Sequence, residues 1–202
     1  MVNWQDVADA RERIASLARV TPLLPINEHV DGARRVLLKL ESLQHTGAFK
    51  IRGAANCLAQ LSAAERERGV MAASAGNHAQ GVAAAAAAMG IAATIVMPET
   101  TPLVKVQRTQ RYGATVILDG PDFETAYARA QDLCGQRNCV FIHPFADERV
   151  IAGQGTIGLE LLDQAPEMES VVVPVGGGGL IAGMALAIKQ RRPEVRVCGV
   201  QT

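Results

Sequence analysis

Apolar residues fall along this chain in short runs separated by helical stretches, the alternation expected of strands and helices that follow one another. Val36–Leu40 predicts a strand, and a glycine-containing turn then leads to a helix over Phe49–Leu61. Gly69–Ser74 predicts a second strand, and Asn77–Met89 an alanine-rich helix that Gly90 ends. Ala92–Met97 follows as a strand, then Pro102–Tyr112 as a helix with proline near its start and Gly113 at its stop. The unit recurs as strand Ala114–Leu118, helix Phe123–Leu133, strand Val140–His143 and helix Glu148–Leu162. Val171–Val175 runs into four glycines, Leu180–Arg191 is helical, and Val195–Val200 predicts a last strand. Apolar strands separated by helices imply an α/β fold with mostly parallel sheets and right-handed crossovers. Strand number fits one domain or two. An apolar strand just before Thr202, with no helix to cover it, leads us to expect an incomplete sequence.

Composition narrows the partners. Hydrophobic residues make up 49% of the 202 and aromatics only 3%, which suits helices packed on buried sheets better than an antiparallel sandwich. Twenty basic residues balance twenty acidic ones without a basic block, so neither nucleic acid nor a membrane surface is expected as partner. The polar start, Met1 to Asp6, lacks the pattern of a signal peptide, and the longest apolar run, Val82–Met89, is too short to span a bilayer. Cys57, Cys134, Cys139 and Cys198 follow neither a zinc spacing nor a dense disulfide framework and read as small buried hydrophobes. A cytoplasmic location and no metal are the expectations.

Chemistry concentrates in three segments, expected at the carboxyl ends of strands, where open α/β sheets bind ligands. In Thr46–Gly53, Lys50 opens a helix between Phe49 and Ile51. Apolar neighbours and the positive end of the helix dipole favour its neutral amine; taken alone, the segment reads more simply as a snorkelling surface lysine. In Ser74-Ala75-Gly76-Asn77-His78, small residues before a helix let an anion approach free N–H groups. Asn77 is equally an ordinary helix cap. Gly176-Gly177-Gly178-Gly179 costs backbone entropy that packing hardly explains, and forms a nest of N–H groups suited to a phosphate.

Other assignments are weaker. The stretch Gly177–Ala182 fits a loose dinucleotide fingerprint, but Val200-Gln201-Thr202 offers no acid for a ribose, and no Gly-Lys pair makes a P-loop. Ala72–Gly76 is an imperfect nucleophile elbow, for which His143 and Asp119 would be the partners of Ser74. A non-catalytic phosphate- or nucleotide-binding module is the alternative of another class.

Together the segments are specific. Lys39–Ala54, Ser74–Gly81, His143-Pro144-Phe145, Val150–Thr156 and Pro174–Gly179 resemble, in order, the motifs of threonine/serine ammonia-lyases (threonine dehydratases). These are fold type II, tryptophan-synthase-β-like, pyridoxal phosphate enzymes. The resemblance covers essentially the whole chain. It implies two domains, a small one at 47–146 and a large one from 1–46 and 147–202, with the C-terminal part of the large domain missing. Lys50 would hold pyridoxal 5'-phosphate and act as base at the substrate Cα, with Phe49 beside the cofactor and Asn77 on its ring hydroxyl. Gly176, Gly177, Gly178 and Gly179 would cradle the phosphate. Ser74, Ala75, Gly76, Asn77 and His78 would receive the substrate carboxylate. The implied reaction deaminates L-threonine to 2-oxobutanoate and ammonia, and L-serine to pyruvate, in a homo-oligomer of the complete chain. Both a biosynthetic role, supplying isoleucine, and a catabolic one accord with these motifs. Serine racemases share the loops but carry serine at the position of Ala75, and Ala48 stands where many relatives have serine.

Overall fold

Asn3 opens the first helix, α1 (Trp4–Arg13), with a capping box in which its side chain accepts the Asp6 N–H and the Asp6 side chain accepts its own. The computed structural model describes residues 1–26 and 35–201; residues 27–34, inside the first expected domain segment, and Thr202 lie outside the described residues. After α1 come β1 (Leu23–Pro25), β2 (Leu37–Lys39), a 3-10 turn (Glu41–Leu43), α2 (Lys50–Ala59) and α3 (Ala63–Arg68). The sheet region follows: β3 (Val70–Ala73), α4 (Asn77–Ala88), β4 (Ala93–Met97), α5 (Leu103–Gln110), β5 (Thr115–Leu118), α6 (Phe123–Arg137) and β6 (Val140–Phe141). Last are α7 (Glu148–Gln164), β7 (Ser170–Pro174), α8 (Gly179–Arg191) and β8 (Arg196–Val200).

The expected α/β fold with mostly parallel pairing is present. Strands β3 to β6 form one parallel sheet in the order β5-β4-β3-β6, and β7 pairs parallel with β8. The strand expected over Val36–Leu40 differs: Leu37–Lys39 pairs antiparallel with Leu23–Pro25 and is only half-buried. With one face open to solvent, it lacks the cover on both sides that a parallel strand needs. The helices α1 and α3, absent from the expectation, are short and polar, and are announced by caps more than by apolar period. In α3, Ser62 and Glu65 form the capping box.

The central strand β3 is buried along its whole length. Against this sheet packs the alanine helix α4, whose Ala79, Val82, Ala83, Ala85 and Ala86 are all buried, and α2 packs on α4. Small side chains let these helices approach closely, and glycines mark the crossings. A Cβ on Gly81 of α4 would lie 3.0 Å from the carbonyl carbon of Lys50 in α2. One on Gly153 of α7 would lie 2.6 Å from the Arg52 carbonyl oxygen and from Cα of Gly53. One on Gly155 would lie 2.9 Å from the carbonyl oxygen of Gly183 in α8. The helices α4, α2, α7 and α8 thus pass the position of α2 from one to the next, which fixes the loops at their N-terminal ends relative to each other. No helix among the described residues is long and apolar enough to cross a membrane.

Candidate active site

Lys50 is the first residue of α2, and Phe49, its N-cap, makes no side-chain cap bond. The amine is half-buried and donates a 2.9 Å hydrogen bond to the carbonyl oxygen of Pro144. The Phe49 ring centroid is 5.4 Å from it, and Phe49 packs against the buried cluster of Ile157, Leu161, Val173 and Met184. Burial lowers the lysine's pKa, because desolvation disfavours the charged form. A snorkelling surface lysine would keep its head in water; this one does not.

The orientation of α2 is set on its other side by Arg52. That guanidinium is 1% exposed and donates to both oxygens of Glu41, each at 2.8 Å, and to Glu160 at 2.6 and 3.0 Å. It also reaches the Arg19 carbonyl oxygen and the Thr156 hydroxyl at 3.0 and 3.1 Å. Lys39 completes the network, its amine 2.5 Å from Glu160. Two cations face two carboxylates, so the buried cluster is neutral, and every N–H of Arg52 is used. Sequence reasoning did not find this network, because its members are scattered from position 19 to 160.

The loop Ser74–Gly76 leaves the carboxyl end of β3, its Ser74 N–H tied to the carbonyl of Val96 across the sheet. The Ser74 hydroxyl accepts the Gly76 N–H at 3.1 Å. Gly76, not Asn77, is the N-cap of α4, and no side chain caps this end. Asn77 is exposed, and its amide has no hydrogen-bond partner among the described residues. Both the helix N–H groups and this amide are therefore available to a ligand. The ring of His78 is turned the other way. It is buried, its Nε2 lies 3.0 Å from the carbonyl oxygen of Ile142, and burial pushes its pKa down to about 4. What His78 presents to the loop is backbone.

The tetraglycine loop joins β7 to α8. Contrary to the expectation that packing would not explain it, two of its glycines are packing positions. A Cβ on Gly177 would overlap the Phe145 ring, and one on Gly179 would come within 2.7 Å of the Phe145 carbonyl oxygen. Gly176 and Gly178 are the open pair, with nothing within 4 Å of a Cβ. Gly178 caps α8 in the left-handed region at φ 83°, which favours glycine. Phe145 joins this loop to Lys50, since the carbonyl that Lys50 meets belongs to its neighbour Pro144.

The hydrolase arrangement is not formed. The Ser74 hydroxyl serves Gly76, His143 Nδ1 accepts the N–H groups of Phe145 and Ala146 at 3.2 and 2.8 Å, and Asp119 pairs with Arg129 at 3.1 Å. No cluster of metal-ligating side chains occurs among the described residues.

A family model described as "Pyridoxal-phosphate dependent enzyme" matches residues 14–202. The chain belongs to this pyridoxal-phosphate dependent enzyme family. Among curated relatives, L-threonine ammonia-lyase of Thermotoga maritima is 52% identical over 204 residues, covering 100% of this chain and 51% of the relative. The catabolic L-threonine dehydratase of Staphylococcus aureus is 46% identical over 205 residues, covering 100% of this chain and 59% of the relative. The chain therefore spans about half the length of the curated relatives it matches. The processed form of threonine deaminase isoform 2 from Solanum lycopersicum superposes with a TM-score of 0.93 at 40% identity, over 98% of this chain and 55% of that one. Maize serine racemase superposes with a TM-score of 0.92 at 36% identity, over 98% of this chain and 62% of that one. Solved structures similar to this chain thus include both a threonine deaminase and a serine racemase.

Proposed function

We propose that this chain carries the cofactor half of an enzyme that deaminates L-threonine to 2-oxobutanoate and ammonia, and L-serine to pyruvate. The observation that carries the reading is Lys50: a desolvated amine at a helix start, bonded to the Pro144 carbonyl and joined through Phe145 to the glycine loop. The residues present fit pyridoxal 5'-phosphate. Gly176 and Gly178 leave room where any side chain would intrude, at the N-terminus of α8, where N–H groups and the helix dipole favour a phosphate. Lys50 would hold the cofactor, with Phe49 beside it, Asn77 on its ring hydroxyl, and Gly177 and Gly179 shaping the phosphate loop. The bound cofactor supplies an electron sink for charge developing at the substrate Cα.

The chain's own residues do the rest. The Lys50 amine, whose charged form burial disfavours, takes the Cα proton as general base. The substrate carboxylate sits at the loop Ser74, Ala75, Gly76, Asn77 and His78, where the free N–H groups of the first turn of α4 and the Asn77 amide receive it. Elimination is favoured over racemisation by Ala75. Its methyl cannot return a proton to the face of Cα opposite Lys50, as the serine of the resembling racemases would. The domain division at 47–146 is supported by the four-stranded sheet, whose strands all lie between Val70 and Phe141. A cytoplasmic homo-oligomer, with either a catabolic role or one in isoleucine supply, completes the proposal.

The test is Lys50→Ala. Visible absorbance of bound cofactor, borohydride-trapped attachment and ammonia release should all be lost. Lys39 is committed to Glu160 and Lys189 to the Pro193 carbonyl, so neither replaces it. Attachment trapped at Lys39, Lys105 or Lys189 in the variant would overturn the assignment.

A further inference from the structure

The turn between β6 and α7 touches two parts of the site at once. The Pro144 carbonyl accepts from the Lys50 amine, and Phe145 fills the space left by Gly177 and Gly179. What holds this turn is the ring of His143. Its Nδ1 accepts the N–H groups of both Phe145 and Ala146, at 3.2 and 2.8 Å. The ring stands edge-on to Phe145 at 4.7 Å and to Tyr127 of α6 at 6.2 Å between centroids, and Tyr127 in turn stands edge-on to Phe141 at 5.3 Å. Backbone N–H groups can only donate, so Nδ1 must keep its lone pair, and any ring proton lies on Nε2. We infer that His143 is a positioning residue, whose neutral Nε2–H tautomer holds the His143–Ala146 turn and so sets the Pro144 carbonyl against Lys50 and Phe145 against the glycine loop. This rests on the reading of Lys50 as the cofactor lysine.

The physical consequence is a proton-sensitive joint. Protonation of His143 puts a hydrogen on Nδ1 and turns one acceptor of two bonds into a donor facing two donors. The groups facing the ring are Lys50 from α2, His78 from α4, the Asp147 carboxylate before α7 and the Tyr127 ring from α6. Burial lowers the pKa of His143 most, Lys50 lowers it further, and Asp147, already engaged by Arg149, raises it. With the folded pKa below the ordinary value of about 6.5, the turn is intact at neutral pH and opens as pH falls beneath that range. A histidine that served packing alone would show no such step.

Two substitutions separate the roles. His143→Asn keeps an acceptor, since its side-chain oxygen can take N–H groups two and three residues ahead as an Asx turn does. His143→Phe keeps the ring and removes the acceptor. In the full-length protein freed of cofactor, side-chain nitrogen NMR should show Nδ1 unprotonated and Nε2 protonated at pH 7.5. On adding pyridoxal phosphate, borohydride-trapped attachment at Lys50 should slow by about tenfold in His143→Phe, the factor that corresponds to about 1.4 kcal/mol of lost turn stability. The Asn variant should attach within about threefold of the unsubstituted rate, that is within less than 1 kcal/mol. The unsubstituted protein alone should show an added drop in attachment rate as pH falls beneath the ordinary histidine value of about 6.5, because burial lowers the pKa of His143. A proton on Nδ1 at pH 7.5 would overturn the proposal, and so would equal slowing in both variants or an acid step that survives in His143→Asn. If no attachment occurs at Lys50 in the unsubstituted protein, the functional reading fails by itself, and the NMR tautomer still decides the turn.

Discussion

Arg52 lies two residues beyond Lys50 on α2, and its replacement by methionine tests whether the buried network sets that helix. Methionine matches most of the volume, so packing is largely kept while the charge and its donors go. The change removes the bonds to Glu41, Glu160, Thr156 and the Arg19 carbonyl, and leaves two carboxylates facing Lys39 alone. Breaking one partner out of a buried pair costs about 3–5 kcal/mol. The lower end applies, because Lys39 still meets Glu160, and the Thr21 hydroxyl still donates to Glu41 at 2.6 Å. About 3 kcal/mol corresponds to a fall of roughly 6–12 °C in the melting midpoint for a chain of this size. Circular dichroism through thermal and denaturant unfolding reads it. The double variant Arg52→Met, Glu160→Gln removes the orphaned charge and should recover part of the loss, with a coupling of about 1–3 kcal/mol. A loss under about 1 kcal/mol for the single variant, or strict additivity in the double, would refute the view that this network orients α2.

Three further outcomes are expected. Gly153→Ala drives a methyl against the Arg52 carbonyl and Gly53, so α2 and α7 must separate, at about 1–3 kcal/mol of stability in the same unfolding assay. Gly177→Ala displaces Phe145 and should weaken cofactor affinity in a fluorescence titration by more than tenfold. Gly176→Ala, where a Cβ meets open space, should leave the melting midpoint unchanged and lower affinity only through crowding of the phosphate; equal melting losses for both would contradict the division of the loop into packed and open glycines. Ala75→Ser should raise the ratio of D-serine to pyruvate formed from L-serine, followed by chiral chromatography. An unchanged ratio would remove Ala75 as the residue favouring elimination.

The sequence by itself determined the parts that depend on local order. Alternating apolar runs marked β3, β4, β5, β7 and β8, and the loops beside Lys50, Ser74 and Gly176 were visible because glycine and small residues punctuate the chain where backbone must approach a ligand. The motif order carried the family, since each segment needs only its own neighbours to be recognised. The tertiary structure decided what depends on residues far apart. It put Arg52 between Glu41 and Glu160, turned the ring of His78 away from the loop and onto the Ile142 carbonyl, and paired β2 antiparallel with β1. It also divided the four glycines into two that yield to Phe145 and two left open. None of these has a periodicity or spacing, because burial and close approach are properties of the packed chain, and a partner a hundred residues away leaves no mark in a local window.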